Sequence, residues 1–430
     1  MLGFVQNFLA PKANPIGIDF GTDSLRLAQV QVIGNEHRLF AAASADVPSH
    51  VKASPATRLA FFVETARDLL SQGNFKGRQA ILAMPAASMC IQHLRMAKMD
   101  EEETKKALQW ETAGKLPMDP SQALIRHLVA GEVYSDSNPQ NEVIVMAAAR
   151  EAVNQFLAAA AKARLDVIGM NVEPRALVDC FSHVYRRKQD SEQTSCYIDI
   201  GSVATRAIIA RGTQIYFARS IPVGGDHLNR AVAAALSIQP EEARMLRIKL
   251  CHLQPNFDEQ RQKREMEQAP AASEPASVEN SFALLGAASA GGSAPLTPSS
   301  EATATMAPPA PAPSALNDQA AHVDQACAAP LAKLIDELQL CRRYYEATFA
   351  NKPVDRLIFV GGEARQRTLC QQIAQQMGLA AQVGDPLVRM GRVSDVGIES
   401  GIDRRQPQPG WAVAIGLSLG PAAVTQTSNG

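Results

Sequence analysis

A chain of 430 residues, 46% hydrophobic and 20% charged, is too long for one ordinary core and suits two domains with connections. Its 43 acidic and 42 basic side chains nearly cancel, so no global field draws it to nucleic acid or an anionic membrane. Seven scattered cysteines without a CxxC pair argue against a disulfide framework or zinc knuckle and fit a reducing cytoplasm. No apolar run approaches the roughly 20 residues of a spanning helix.

In chain order, residues 1–14 read as a flexible tail. Strand-like runs follow at 15–20 and 25–32, a helical pattern at 56–70, a strand at 80–83 and an acid-started helix at 100–111. In that last helix Glu102 is spaced to pair with Lys106 at i,i+4. A strand at 143–147 then leads to helices at 151–163 and 174–187, strands at 196–200 and 206–210, and helices at 225–236 and 241–250. Residues 255–328 change character: from Met266 to Ala332 there is no Lys or Arg, and Ala, Pro, Ser, Gly and Thr dominate. So little apolar bulk cannot offset the entropy of ordering, and disorder is expected there. Helical periodicity returns from 329, with Leu331, Leu334, Ile335, Leu338 and Tyr345 on one face, before a strand at 357–360 and a helix at 365–377. Residues 422–430 read as a second flexible tail. The alternation of strands and helices indicates an α/β fold.

The most informative feature is an internal repeat. Ile18-Asp19-Phe20-Gly21-Thr22 returns 180 residues later as Ile198-Asp199-Ile200-Gly201-Ser202, and Arg26 and Arg206 match at the same offset. Each copy ends one strand and runs into another, a hairpin whose turn holds Asp, Gly and a hydroxyl. Glycine there lets backbone N–H groups approach an anion, and Thr22 or Ser202 adds a donor. A carboxylate cannot sit against phosphate unaided, so Asp19 and Asp199 read as magnesium-directed. Two such hairpins facing one another would clamp a polyphosphate. The run Leu357-Ile-Phe-Val360 followed by Gly361-Gly362 and a helix near Glu363 would let backbone pass close to a flat ligand such as adenosine, and Gly224-Gly225 is a similar element.

Together these residues resemble the actin-like ATPase superfamily and, within it, the PilM family of type IV pilus assembly, related to FtsA. The likeness is carried by Gly17-Ile-Asp-Phe-Gly-Thr-Asp-Ser-Leu-Arg26, Trp110-Glu-Thr-Ala-Gly-Lys-Leu-Pro-Met-Asp119, Asn171-Val-Glu-Pro174, Ile221-Pro-Val-Gly-Gly225 and Asp355-Arg-Leu-Ile-Phe-Val-Gly-Gly362. It implies an actin-like fold of two duplicated lobes around a nucleotide cleft. Lobe one would be 15–77 and 167–192, with an FtsA-like subdomain inserted at 78–166. Lobe two would be 193–254 and 329–421, its last helix returning towards lobe one.

The resemblance further implies ATP and Mg2+ in the cleft. Asp19, Gly21, Thr22, Asp23, Ser24 and Arg26 would form phosphate loop one, and Asp199, Gly201, Ser202 and Thr205 loop two. Gly224, Gly225, Arg247, Gly361, Gly362 and Glu363 would lie about the adenosine. Arg244 and Arg247 stand where the family usually has an acid and a Lys, and Glu363 where a small residue is commoner. The implied partner is the cytoplasmic N-terminal tail of a PilN-like inner-membrane protein, with Leu116, Pro117 and Met118 as candidate apolar contacts. Other platform proteins would join it, self-association is left open, and the protein would be cytoplasmic and peripheral to the inner membrane through its partner. Slow ATP hydrolysis at most is expected. The alternatives are a sugar- or acetate-type kinase, for which no general base stands out, and an FtsA-like filament former. No HExxH, GxSxG or Walker A pattern occurs.

Overall fold

The computed structural model describes residues 13–34, 36–85, 88–135, 138–185, 190, 192–253, 313–350, 352–392 and 401–420. The expected tails at 1–14 and 422–430 lie largely or wholly outside these residues, as does most of the insert.

The apolar strand β1 (Ile16–Phe20), buried throughout, pairs antiparallel with β2 (Ser24–Ile33), which folds back onto β3 (Glu36–Asp46). Helix α1 (Pro55–Gln72), capped by the Ser54 side chain on Thr57 N–H, precedes β4 (Gln79–Ala83), which joins β1 in parallel. Strand β8 (Asp166–Asn171) adds beyond β4, and the short β14 (Gly391–Arg392) joins β3 at the other edge. The order is β14-β3-β2-β1-β4-β8.

The same scheme recurs downstream. The meander of β9 (Thr194–Ile200), β10 (Thr205–Arg211) and β11 (Gln214–Ile221) is extended in parallel by β12 (Arg356–Val360) and β13 (Ala380–Val383), giving β11-β10-β9-β12-β13. The 180-residue sequence repeat is therefore a repeat of topology. A third sheet, β5-β7-β6, is built from β5 (Met89–Ala97), β6 (Ala123–Ser135) and β7 (Asn138–Ala149). It carries α2 (Glu101–Glu111), whose start is a capping box between Asp100 and Glu103. Lys105, rather than the expected Lys106, reaches Glu102 at 2.8 Å and Glu101 at 3.0 Å.

Helices α3 (Arg150–Lys162) and α4 (Glu173–Ser182) belong with the first sheet, and α5 (Gly225–Leu236) and α6 (Pro240–Leu253) follow the second meander. Helix α7 (Pro313–Thr348) corrects one expectation: the ordered chain resumes at Pro313, not at 329. Ala, Leu and Gln in this stretch favour helix despite the missing cations, and Ala320 and Val323 pack with Ala243 and Leu250 of α6. Helix α8 (Arg367–Met377) precedes β13, and α9 (Ala412–Leu419) returns to the first sheet. A Cβ on Gly17 of β1 would lie 2.0 Å from the Ala414 carbonyl oxygen, and one on Gly416 1.8 Å from that of Ala176. Two glycines thus allow α9 to press on both β1 and α4.

The third sheet is tied to the second lobe's elements by polar groups. Glu142 on β7 is fully buried, accepts from Tyr344 of α7 at 2.6 Å and faces His93 Nδ1 at 2.9 Å. The other His93 ring nitrogen lies 3.1 Å from the Ala218 carbonyl oxygen of β11. Burial alone would raise the Glu142 pKa, but the His93 and Tyr344 hydrogen bonds and the charges nearby hold it below the usual range. No helix among the described residues is long and apolar enough to cross a membrane.

Candidate functional site

The two hairpins open into one cleft of about 1880 Å³. Asp19, Gly21, Thr22, Asp23, Ser24 and Arg26 line it from the first sheet, Asp199, Gly201 and Ser202 from the second, and Gly361, Gly362 and Glu363 from the turn after β12. Register explains why both aspartates stand at its floor. Each is the last residue but one of its strand and stands opposite an arginine seven residues on, Asp19 across from Arg26 and Asp199 across from Arg206.

The first loop is braced by two cations that also line the cleft. Arg58 of α1 donates to the Gly21 carbonyl at 2.9 Å and to that of Thr22 at 3.2 Å, and Lys52 pairs with Asp23 at 2.5 Å. The second is braced by the start of α5. Gly225 N–H donates to the Gly201 carbonyl at 2.9 Å and Asp226 N–H to that of Ser202 at 2.8 Å. A Cβ on Gly224 would come within 2.5 Å of the Gly201 oxygen. Gly224 and Gly225 therefore support the loop and do not line the cleft. Thr205 is likewise buried behind it, donating to the Val223 carbonyl at 2.7 Å. The Ser202 Oγ has no hydrogen-bond partner among the described residues.

Charge at the floor is dense. Arg206 reaches Asp199 Oδ2 through Nη2 at 2.8 Å and Nε at 2.9 Å, and Glu173 Oε2 through Nη1 at 2.9 Å. The contact with Glu173 is an ion pair without hydrogen-bond alignment. Burial raises the Glu173 pKa to about 8 in spite of Arg206, with Asp199 and Asp19 adding to the rise. Asp19 is pushed up to about 6 by burial, offset in part by Arg26 and reinforced by Asp199. Burial alone would lower the Arg206 pKa, but Asp199 and Glu173 raise it further above its ordinary value.

Sequence reasoning noted Arg206 only as a repeat match and did not single out Arg58; it weighed Glu173 as a general base and set it aside as a mostly solvated helix-end carboxylate, whereas the fold buries it. The available signal was the spacing of seven from Asp to Arg in both copies: across a hairpin, that spacing makes each pair directly opposite neighbours. Arg247 lies outside the main cleft, enclosed by Glu363, Gln366 and Asn229. Leu116 is buried against Ala123 and Ala147 with Met118 beside it, so the apolar contacts expected of Leu116 and Met118 are made within the subdomain, while Pro117 is exposed.

Residues 17–260 match the family model for type IV pilus assembly protein PilM, and residues 196–416 that for cell division protein FtsA. Comparison with curated proteins gives no match. Among solved structures, the PilM-PilN type IV pilus biogenesis complex is similar over 94% of this chain and 98% of the other, at 17% identity and a TM-score of 0.66. Ethanolamine utilization protein EutJ from Carboxydothermus hydrogenoformans gives 13% identity, 96% and 90% coverage, and a TM-score of 0.44. The 17% match establishes a shared actin-like fold. With the PilM model spanning more than half of its length, the chain belongs to the PilM family of type IV pilus assembly proteins.

Proposed function

We propose that this actin-like type IV pilus assembly protein holds a nucleotide triphosphate between its two hairpins as a structural ligand, and docks the cytoplasmic tail of a PilN-like membrane protein. The observation that carries the nucleotide reading is the convergence of Gly21 and Gly201, 180 residues apart in sequence, on one cleft. The orphan Ser202 hydroxyl and the Arg26 side chain supply donors for phosphate oxygens there. Lobe one would keep β4 and α3, which sequence reasoning put in the inserted subdomain at 78–166, because both share a core with β1; that leaves β5, α2, β6 and β7 as the subdomain, with the β14 strand and α9 helix carrying the second half back onto lobe one.

Magnesium fits the donor set at one position better than the other. Asp199 is already neutralised by Arg206, whereas Asp19 offers a hard carboxylate to the cleft with no ion pair among the described residues. Bound there, the ion would neutralise phosphate charge, and Asp19 would hold it directly or through its water shell. Asp19→Ala is expected to weaken Mg-ATP binding at least about tenfold in calorimetry, while binding measured without magnesium changes little. Equal losses with and without the ion would remove Asp19 from that role.

The partner reading is supported by the similarity to a PilM-PilN complex. The docking site would lie on the first lobe and its inserted subdomain. Association with the inner membrane would then be indirect. Pull-down with the N-terminal tail of a PilN-like protein, with and without ATP, tests it. Retention in at least one condition is expected, and failure in both would count against the assignment.

A further inference from the structure

We infer that the rim of the cleft carries a clasp, formed by the Ser49 hydroxyl and the Glu241 carboxylate, that sets how fast ligand enters and leaves. This rests on the nucleotide reading above and adds a gate to it. Ser49 opens the short 3-10 turn Ser49–Ala53, between β3 and α1, and Glu241 stands in the first turn of α6. The two are 192 residues apart in sequence, and the Ser49 Oγ donates to Glu241 Oε1 across the gap between the two halves of the chain.

Position relates this contact to the cleft. Lys52 and Pro55 line the cleft from the first half, and Arg244 and Ile248 of α6 line it from the second. Ser49 precedes Lys52 by three residues, and Glu241 precedes Arg244 by three. Both Ser49 and Glu241 are exposed, whereas the Arg206–Glu173 pair that also joins the halves is buried at the floor. Parting at the rim therefore gives up the Ser49–Glu241 bond and leaves the buried pair in place.

Each side of the clasp is firmly mounted. Lys52 pairs with Asp23 of phosphate loop one at 2.5 Å, and Val47 N–H donates to the Asp23 carbonyl at 2.8 Å. The Thr57 hydroxyl of α1 donates to the Val51 carbonyl at 2.9 Å. The turn is thus fixed to the first hairpin and to α1. On the other side, the Glu242 carboxylate accepts from Gln239 N–H at 3.2 Å and holds the α6 start. Ala243, fully buried, packs with Val232 of α5 and Val323 of α7. A hydrogen bond between two ordered bodies opposes their separation without first having to order its partners.

The clasp closes the rim whichever way a ligand is moving. Breaking it should speed entry and exit together and leave the equilibrium nearly unchanged. A weakened phosphate site has a different signature, faster exit with no gain in entry.

Stopped-flow binding and displacement of a fluorescent ATP derivative with magnesium, on the full chain, tests this. In Ser49→Ala both rates are expected to rise about three- to tenfold, with the dissociation constant within about twofold of the parent. Ser49→Asp, which sets like charges opposite one another, should speed both steps at least as much. Adding Glu241→Lys to it should return both rates towards the parent. Unchanged rates in both Ser49 variants, or faster release without faster binding, would overturn the inference and leave the nucleotide reading standing. Failure of the charge exchange to slow the Ser49→Asp rates would overturn the pairing. Binding of no nucleotide by the parent would overturn the nucleotide reading, and the clasp with it.

Discussion

Arg206→Ala is expected to destabilise the folded chain by about 3–5 kcal/mol at pH 8, the cost of leaving buried carboxylates without their cation. Arg206 is 12% exposed at its side chain, and its partners Asp199 and Glu173 are 3% and 5% exposed. With so little exposure, water at the cleft floor replaces the guanidinium only in part, and the loss should exceed the roughly 0–1 kcal/mol typical of surface ion pairs. The pH dependence follows from the sign of the shifts. Glu173 and Asp19 have folded pKa values above their unfolded ones, about 8 against 4.5 and about 6 against 3.8. The folded state therefore binds more protons than the unfolded chain, and stability falls as pH rises across those windows.

Removing Arg206 widens them, so the deficit of the variant should be largest at pH 8 and smaller at pH 5. Urea denaturation at the two pH values measures it, and Glu173→Gln in the Arg206→Ala background should recover part of the loss at pH 8. A deficit independent of pH would mean that the arginine acts by packing alone.

How much of this was legible depended on whether local or distant chain set the geometry. The phosphate hairpins could be read because a strand, Asp-x-Gly and a second strand are contiguous, and the repeat exposed them twice. Strand β1 and the run Leu357-Ile-Phe-Val360 were legible for a similar reason, being buried on every residue and so continuously apolar. Strand β3 was not, because Phe40-Ala-Ala-Ala-Ser44 carries weak strand propensity and owes its pairing to β2. Strand β13, Ala-Ala-Gln-Val, is a short, largely exposed edge fixed by the parallel register of β12. The start of α7 was hidden by composition: a segment poor in charge resembled the linker before it, and only its docking on α6 distinguishes the two. At the site, Gly224, Gly225 and Thr205 stood in the right motif but serve the loop from behind, a distinction that depends on which way a backbone group faces.

The pair Gly361-Gly362 gives the second large effect, because two residues identical in sequence have opposite demands. Gly361 has φ +90°, and a Cβ on it would lie 2.3 Å from Asp199 Oδ1 and 2.6 Å from the Ile200 carbonyl oxygen. Neither neighbour can retreat. Ile200 contributes backbone, and Asp199 is held by Arg206 on its other oxygen and sits opposite Val360 in the β12–β9 register. Gly361→Ala must therefore strain the turn or part the two central strands. Left-handed backbone costs about 1–2 kcal/mol and overpacking about 1–3 kcal/mol, so a total near 2–5 kcal/mol is expected, with Mg-ATP binding lost alongside. Gly362 has φ −66°, and a Cβ there would meet nothing within 4 Å. Gly362→Ala should stay within about 0.5 kcal/mol of the parent. Denaturation midpoints of the two variants, measured side by side with Mg-ATP calorimetry, separate a turn built around Asp199 from a merely flexible one. Equal midpoints would show that the close approach of Gly361 to phosphate loop two carries no stability.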